Sequence, residues 1–411
     1  MIIKKFFPAF FSAVLLVSAF VVCALYGQNI QPSTQTVSVQ SADSAYAKSL
    51  KDTAAGMKGV WVTYMELSME HEADKSEKAF TEKFKVIAEN CRDSGFNTLI
   101  VQVRPFCDAL YKSDYYPYSH ILTGTQGKNP GYDPLKIMCK ICRSKDLNIH
   151  AWVNPYRVTY NNVPERLSQN NPYLMDKNMA VETETTTVLD PSNEKARKLI
   201  ANGVAEIVKN YDVDGVQFDD YFYPVDIESL DIAGYNDYRE KAKGEIMTLE
   251  NWRKANVNLL VAECCAAVHK YGKNAVFGIS PQGNLENNAE LYADVKSWCE
   301  VSGYCDYICP QIYFSLENPA LGFNEALSEW CELKLADTVK MYAGLAGYKA
   351  GTDDDEGTWE YSDDVLYNEY NILKKNNKIS GFMLYSYSSL LSGEAKKEID
   401  NLKKAMAITN N

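Results

Sequence analysis

The chain has 411 residues, of which 46% are hydrophobic, and its formal net charge is −12 at pH 7. This length and apolar content are sufficient for one large domain with a substantial core. The acidic balance, without a basic stripe to neutralise phosphates, argues against nucleic acid as a partner.

The first 29 residues predict a signal peptide or a membrane anchor. Lys4 and Lys5 precede an apolar run from Phe6 to Tyr26, and no small-residue cleavage site decides between the two. Residues 30–56 are rich in Gln, Ser, Thr and Ala, which predicts a flexible linker because such a segment buries little apolar surface. We therefore expect an extracytoplasmic protein, secreted or anchored to the cell membrane, that meets the membrane only through its N-terminal segment.

Eight short apolar runs alternate with eight amphipathic stretches in residues 57–411. The predicted strands cover residues 59–66, 97–105, 148–157, 215–224, 275–284, 306–314, 341–348 and 381–388. The predicted helices cover residues 77–94, 133–146, 193–210, 250–272, 291–301, 323–336, 361–376 and 393–407. Strands that alternate with helices indicate parallel βαβ units, and eight such units predict an α/β fold of the (β/α)8 TIM barrel type.

The stretch 214–224 carries the strongest functional signal. Its apolar and polar residues alternate as in a strand, and Asp219 and Asp220 fall at the C-terminal end, followed by Tyr221 and two more aromatic residues. This combination suits a site that cleaves sugars, because carboxyl groups move protons or stabilise positive charge and aromatic rings stack on sugar faces. The same two aspartates could instead cap the next helix.

Polar and aromatic residues also recur at the C-terminal ends of the other predicted strands, where active sites of this fold are built. The residues expected to contact a sugar are Arg104, Trp152, Asn154, Tyr221, Gln282, Asn284, Gln311, Tyr313 and Tyr385. Strand alternation places Arg104 on the same face as Gln102. The polar members could equally satisfy one another by hydrogen bonds, which would make them structural.

Eight motifs occur in a fixed order between about residues 57 and 390. They are Gly59-Val-Trp-Val-Thr, Phe96-Asn-Thr-Leu-Ile-Val-Gln-Val-Arg-Pro105, Ala151-Trp-Val-Asn-Pro-Tyr156, Leu189-Asp-Pro191, Asp214-Gly-Val-Gln-Phe-Asp-Asp-Tyr-Phe-Tyr-Pro224, Trp252-Arg-Lys-Ala-Asn256, Gly278-Ile-Ser-Pro281 and Pro310-Gln-Ile-Tyr313. In this order they resemble the bacterial glycosyl hydrolase-like 10 family. The resemblance implies an exported or envelope-bound (β/α)8 barrel that hydrolyses a cell-envelope glycan, since some members resemble muraminidase-type enzymes that act on peptidoglycan strands lacking peptides.

A more distant similarity concerns the Asp-Gly-x-x-x-Asp pattern that ends at Asp219, which resembles the chitinase-type pattern Asp-Gly-x-Asp-x-Asp-x-Glu. This alignment places Asp219 where an Asp orients the N-acetyl group of the substrate. It places Gln217 at an Asp position and Tyr221 at the position of the general-acid Glu. If the chain uses acetamido assistance, its acid must come from elsewhere, and Asp220 is the nearest candidate.

Glycoside hydrolysis normally uses two carboxyl groups, one as acid and one as nucleophile or base. We expect Asp220 or Asp219 to be the essential acid, with Asp220 preferred for its reach, and the other to orient the substrate or raise the pKa of its neighbour. The second carboxylate could be Glu66, Glu356 or the N-acetyl oxygen of the substrate. The alternative is a non-catalytic glycan-binding protein on the same barrel. Neither a cofactor nor a metal site is predicted.

Overall fold

The computed structural model describes residues 56–224 and 229–408. The predicted signal peptide or anchor, and the predicted linker except for Gly56, lie outside these residues. Within the described ranges, every helix is too short or too polar to cross a membrane.

Eight parallel strands form a closed barrel in which each strand pairs with the next along the chain and the last pairs with the first. The strands are β1 (Met57–Val62), β2 (Thr98–Arg104), β3 (Asn148–Val153), β4 (Gly215–Phe218), β5 (Val276–Ile279), β6 (Tyr307–Ile308), β7 (Lys340–Ala346) and β8 (Ile379–Tyr385). Each lies within or overlaps a predicted strand, so the prediction of a (β/α)8 barrel is confirmed.

A helix follows each strand and overlaps its predicted range. These helices are α1 (Glu77–Asp93), α2 (Pro134–Ser144), α3 (Glu194–Asn210), α4 (Leu249–Tyr271), α5 (Val295–Glu300), α6 (Phe323–Glu332), α7 (Val365–Lys375) and α8 (Lys396–Ile408). In α1, the Ser76 side chain accepts a hydrogen bond from the backbone of Ala79 and so caps the first turn. Phe80, Phe84 and Ile87 recur on one face and are buried, which explains why the helix packs on the barrel.

Additional short elements lie in the connections. Four are helices, at Tyr64–Leu67, Pro172–Met175, Ile232–Lys241 and Asn287–Glu290, and four are 3₁₀ turns, at His120–Leu122, Lys177–Met179, Gly347–Lys349 and Tyr387–Leu390. The long connection after β3 contains an antiparallel sheet of Arg157–Thr159, Thr187–Leu189 and Ala180–Glu182. Strands of three residues are too short to show a period of two, so the sequence predicted no strand between residues 157 and 215 beyond the end of the third one.

The strand β6 is much shorter than the predicted range 306–314. Pro310 has no backbone N–H for the ladder, and beyond it only single bridges join Gln311 to Gln282 and to Gly344. The chain therefore leaves the barrel early and presents Gln311 at the C-terminal mouth.

The barrel interior contains a hydrogen-bonded layer beneath the mouth. The Trp61 indole N–H donates to Gln217 Oε1 at 2.6 Å, and Gln217 Nε2 donates to the Tyr307 hydroxyl at 3.2 Å. His150 Nδ1 lies 2.9 Å from the same hydroxyl, and burial lowers the pKa of His150 to about 4, so this histidine is neutral. A Cβ on Gly278 would lie 1.9 Å from the Tyr307 ring, so this close packing requires glycine.

Candidate active site

Asp219 lies at the centre of the C-terminal mouth, one residue beyond β4, and only 4% of it is exposed. The Trp152 indole N–H donates to its Oδ2 at 3.0 Å, and Asn154 Nδ2 donates to the same oxygen. The backbone N–H of Tyr221 approaches Oδ1 at 3.4 Å. The carboxyl group is therefore fixed in orientation from the side of β3.

A relay of amides sets the orientation of Asn154. The backbone N–H of Tyr64 donates to Gln102 Oε1 at 3.0 Å, and Gln102 Nε2 donates to Asn154 Oδ1 at 2.6 Å. Because the oxygen of Asn154 is engaged in this way, its amide nitrogen must point to Asp219. Asn154 is fully buried, so the structure assigns it to positioning Asp219 rather than to the predicted contact with substrate.

Asp220 turns to the other side of β4 and is half-buried. Gln282 Nε2 donates to its Oδ2 at 3.1 Å, and Gln311 Nε2 donates to its Oδ1 at 3.0 Å. Gln311 also donates to the carbonyl of Ser280 at 3.0 Å, and Asn287 donates to Gln282 Oε1 at 3.1 Å. The two glutamines predicted to contact substrate therefore hold the carboxyl group of Asp220.

Both aspartates bind a proton more readily than an isolated aspartate does. Burial, followed by the charge of Asp220, raises the pKa of Asp219 to about 7. Burial also raises the pKa of Asp220, although hydrogen bonds from Gln311 and Gln282 oppose the shift. The two groups titrate together, so the pair can keep a proton near neutral pH and supply it to a reacting oxygen.

An aromatic cluster lines the mouth around Tyr385. The ring centroid of Tyr385 lies 5.8 Å from those of Tyr313 and Tyr348, 6.1 Å from that of Trp61 and 6.4 Å from that of Trp152. The structure thus brings together the three predicted residues Trp152, Tyr313 and Tyr385, and adds Trp61 and Tyr348. Tyr313, Tyr348 and Tyr385 are at least partly exposed and offer ring faces of the kind that pack on sugars, whereas Trp61 and Trp152 are only 3% and 7% exposed and support them from below.

Arg157 was not among the predicted site residues, yet it lies beside the aspartates. Its guanidinium is 5.1 Å from the ring centroid of Tyr221 and 5.2 Å from that of Phe106, and its Nε donates to the Pro105 carbonyl at 2.8 Å. Its positive charge lowers the pKa values of both Asp219 and Asp220. The signal that could have identified it is its position at the end of the predicted third strand.

The expected role of Arg104 needs correction. It is only 2% exposed and donates to the backbone carbonyls of Asn154 and Pro155 at 2.9 and 3.0 Å and to the Tyr116 hydroxyl at 3.0 Å. The pairing of β2 with β3 shifts register between Gln102 and Arg104, so the two side chains do not share one face as simple alternation predicts. Arg104 anchors the connection after β3 and does not line the mouth.

Asn284 has a local contact in the structure. Its side-chain oxygen accepts a hydrogen bond from the backbone N–H of Glu286 at 2.9 Å, which stabilises the turn after β5. Tyr221, by contrast, is 51% exposed. Arg157 covers one face of its ring, and the other face is accessible to a ligand.

Of the two candidates for a second carboxylate, Glu66 is engaged with the protein. Its Oε2 accepts the backbone N–H of Thr63 at 2.6 Å, and its Oε1 accepts the backbone N–H of Ser388 at 2.5 Å and the hydroxyl of Ser386 at 2.9 Å. Glu66 thus links the ends of β1 and β8. Glu356 is exposed on the loop after β7. Neither resembles an acid poised opposite Asp220.

Within the part of the chain that the structure describes, one group of three side chains has the donor set of a metal site, namely Cys265, His269 and Asp306. Their potential ligand atoms lie within 4.8 Å of one another. Asp306 directly precedes β6, so the group lies at the opposite end of the barrel from Asp219. The Asp306 carboxylate already accepts the backbone N–H of Phe277 at 2.7 Å and contacts His269 Nε2 at 2.9 Å.

Comparison with known sequences gives consistent matches. The family model described as glycosyl hydrolase-like 10 matches residues 56–361. Glycosyl hydrolase YngK of Bacillus subtilis (strain 168) is 33% identical over 316 residues, which cover 71% of this chain and 61% of that protein. Glycosyl hydrolase DigH of Escherichia coli (strain K12) is 33% identical over 281 residues, which cover 62% of this chain and 63% of that protein. The chain thus matches less than two thirds of the length of these relatives.

Solved structures share the architecture. The glycoside hydrolase domain of PgaB (BpsB) from Bordetella bronchiseptica superposes with a TM-score of 0.59 at 12% identity, covering 85% of this chain and 99% of that chain. A GH36 α-galactosidase from Geobacillus stearothermophilus in complex with stachyose gives a TM-score of 0.51 at 12% identity, covering 90% of this chain and 44% of that chain. At such low identities the likeness shows the fold alone.

Proposed function

Because the chain belongs to the glycosyl hydrolase-like 10 family, we propose that it is a glycoside hydrolase that cleaves a bacterial cell-envelope polysaccharide, namely the glycan strands of peptidoglycan. The observation that carries the proposal is the pair Asp219 and Asp220, which has raised pKa values and lies beside an aromatic cluster at the mouth of the barrel. A polar catalytic pair next to apolar ring faces is what binding and cleaving a sugar chain requires.

In the proposed mechanism, Asp220 donates a proton to the leaving glycosidic oxygen. Asp220 is the more accessible of the two aspartates, and Gln282 and Gln311 set its direction. A positioned general acid of this kind contributes roughly 10²–10⁴-fold to rate. As Asp220 gives up its proton, the same two amides stabilise the carboxylate that forms.

Asp219 has a different role in this proposal. It orients the N-acetyl group of the substrate, whose oxygen then acts as the internal nucleophile. Two observations support this role: Trp152 and Asn154 fix Asp219 rigidly, and Glu66 already accepts three hydrogen bonds from its own protein. The titrations of the two aspartates are coupled, so the pair as a whole holds a proton near neutral pH.

The lysine-flanked apolar run at the N-terminus supports a location outside the cytoplasm, where the protein would be secreted or membrane-anchored and would meet its substrate. A non-catalytic glycan-binding protein is the second candidate. The observation that favours it is the engagement of Glu66 by backbone amides together with the exposure of Glu356, which leaves the two predicted second carboxylates without a catalytic position.

The test is digestion of purified peptide-free peptidoglycan strands by the protein, with the products identified by mass spectrometry. Oligosaccharides with one defined reducing end would establish hydrolysis and identify the bond that is cut. Retained binding to the strands without any product would favour the glycan-binding alternative.

A further inference from the structure

We propose that Arg157, together with Phe106 and Tyr221, forms a subsite that binds a carboxylate on the sugar next to the cleaved bond. This inference rests on the proposed function and names its substrate class, which is a glycan whose sugars carry carboxylate groups.

The guanidinium of Arg157 is held in orientation but forms no ion pair with a described residue. It lies over the rings of Tyr221 and Phe106, and its Nε donates to the Pro105 carbonyl at 2.8 Å. That bond is the one hydrogen bond that the guanidinium of Arg157 makes within residues 56–224 and 229–408, so its two terminal nitrogens Nη1 and Nη2 remain available there. Two parallel N–H donors on a rigid plane match the two oxygens of a carboxylate.

Of the other well-buried arginines in the structure, two are ion-paired and one is held by backbone carbonyls. Arg253 donates to Asp231 at 2.6 Å, Arg197 lies 3.0 Å from Glu263, and Arg104 donates to two backbone carbonyls. In a chain with a net charge of −12, a half-buried cation at the mouth of the barrel that forms no ion pair with any described residue is distinctive. Its position suits a negative group that arrives with the substrate.

The position of Arg157 in the barrel mouth also indicates which sugar of the substrate would carry the carboxylate. Tyr221 follows Asp220 directly in the chain, and the guanidinium stacks on Tyr221, so the cation lies beside the proposed acid. The positive charge of Arg157 lowers the pKa values of both aspartates. A carboxylate bound by Nη1 and Nη2 therefore belongs to the sugar at the reacting bond. The lactyl group of muramic acid and the carboxyl group of a uronic acid both supply this chemistry.

The experiment measures binding by calorimetry in the Asp220→Asn background, so that no bond is cut during the titration. One ligand is an oligosaccharide from peptide-free peptidoglycan strands, and the second is the same oligosaccharide with its carboxyl groups reduced to alcohols. The third is an oligogalacturonate. The variants are Arg157→Gln and, as a matched control, Arg143→Gln, which removes a cation paired with Asp212 and Asp214 before β4.

With Arg157 present, the native peptidoglycan oligosaccharide should bind about tenfold to a hundredfold more tightly than its reduced form, as expected for a charge-assisted contact. Arg157→Gln should remove this difference and Arg143→Gln should keep it. The inference is overturned if the native and the reduced oligosaccharide bind equally tightly when Arg157 is present, if the difference persists in Arg157→Gln, or if none of the three ligands binds.

Two further outcomes separate this inference from the proposed function. Arg157-dependent binding of the oligogalacturonate alone supports the carboxylate subsite and contradicts peptidoglycan as the substrate. Arg157-dependent binding of the peptidoglycan oligosaccharide, with no cleavage by the unmodified protein, supports the subsite and contradicts hydrolysis.

Discussion

Asp219 and Asp220 are neighbours in the chain, yet their carboxyl groups are held on opposite sides of β4. Trp152 and Asn154 fix Asp219 from β3 and the connection that follows it, whereas Gln282 and Gln311 fix Asp220 from the segments after β5 and β6. Their charges remain coupled, which helps to raise the pKa of Asp219 to about 7. The pair can therefore hold a proton near neutral pH even though its two carboxyl groups face different parts of the site.

Replacement of Asp220 should abolish turnover and leave the fold intact. We expect Asp220→Asn to lower kcat by at least about 10²-fold, the usual contribution of a general acid, with the melting temperature changed by a few degrees at most. Product formation from peptide-free strands and thermal melting measure the two effects. Asp237→Asn is the matched control, because Asp237 forms an exposed ion pair with Lys241, 2.6 Å away. Near-normal activity of Asp220→Asn would exclude it as the acid.

The pH dependence should report the proton of the aspartate pair. Because burial raises the pKa of Asp219 to about 7, the protonated pair is lost as the pH rises through this value, and kcat should fall on the alkaline side. The charge of Arg157 lowers both pKa values, so Arg157→Gln should move this alkaline limb to higher pH, and Arg157→Lys should move it less. An unchanged limb in Arg157→Gln would show that the limb belongs to another group.

The sequence was sufficient for the barrel and for the place of the aspartate pair. Alternation in 214–224 predicted a strand with Asp219 and Asp220 toward its C-terminal end, although the observed strand already ends at Phe218. The rule that active sites lie at the C-terminal ends of barrel strands then predicted that the two aspartates lie at the mouth. The aromatic residues Trp152, Tyr313 and Tyr385 were predicted in the same way and lie together.

The directions of several polar side chains could not be derived from the sequence. A register shift in β2 turns Arg104 away from the face of Gln102. The alternation of apolar and polar residues along a strand does not show where such an irregularity occurs. Arg157 begins a three-residue strand outside the barrel, so its path back over Tyr221 depends on tertiary packing. The sequence placed Glu66 at the C-terminal end of the barrel, as a catalytic carboxylate requires. Only the structure shows that Ser386 and Ser388 donate hydrogen bonds to its carboxylate.

Glu369 on α7 should make stability depend on pH. It is 0% exposed, and within the described ranges no protein atom hydrogen-bonds either of its carboxyl oxygens. Burial, followed by the charges of Glu398 and Asp355, raises its pKa, while Lys349 opposes the shift. The contribution of Glu369 to stability is therefore complete below its pKa in the unfolded chain and is lost as the pH rises toward its pKa in the folded protein.

Replacing Glu369 with an apolar residue of similar size tests this account. We expect Glu369→Met to be more stable than the unmodified protein by about 1–4 kcal/mol at pH 7.5, as for other buried charges replaced by apolar groups. The advantage should shrink toward about pH 4, where the glutamic acid is protonated in both states. Urea unfolding across this pH range measures the difference, and an advantage independent of pH would contradict the raised pKa. Glu398 is present in both proteins, but its charge interacts with that of Glu369, so the difference reports the coupled titration of the two groups.

Substitution of Glu66 distinguishes a structural carboxylate from a second catalytic one. Glu66→Gln keeps an oxygen for Ser386 and Ser388 but turns an amide N–H₂ toward the backbone N–H of Thr63, so we expect a loss of stability of about 1–3 kcal/mol. The kcat on peptide-free strands should stay within about threefold, because Glu66 takes no part in proton transfer in the proposed mechanism. Glu356→Gln is the control on an exposed loop and should change stability by less than about 0.5 kcal/mol. If Glu66→Gln instead kept its melting temperature and lost activity by about 10²-fold or more, Glu66 would be the second carboxylate and the N-acetyl oxygen of the substrate would not be the nucleophile.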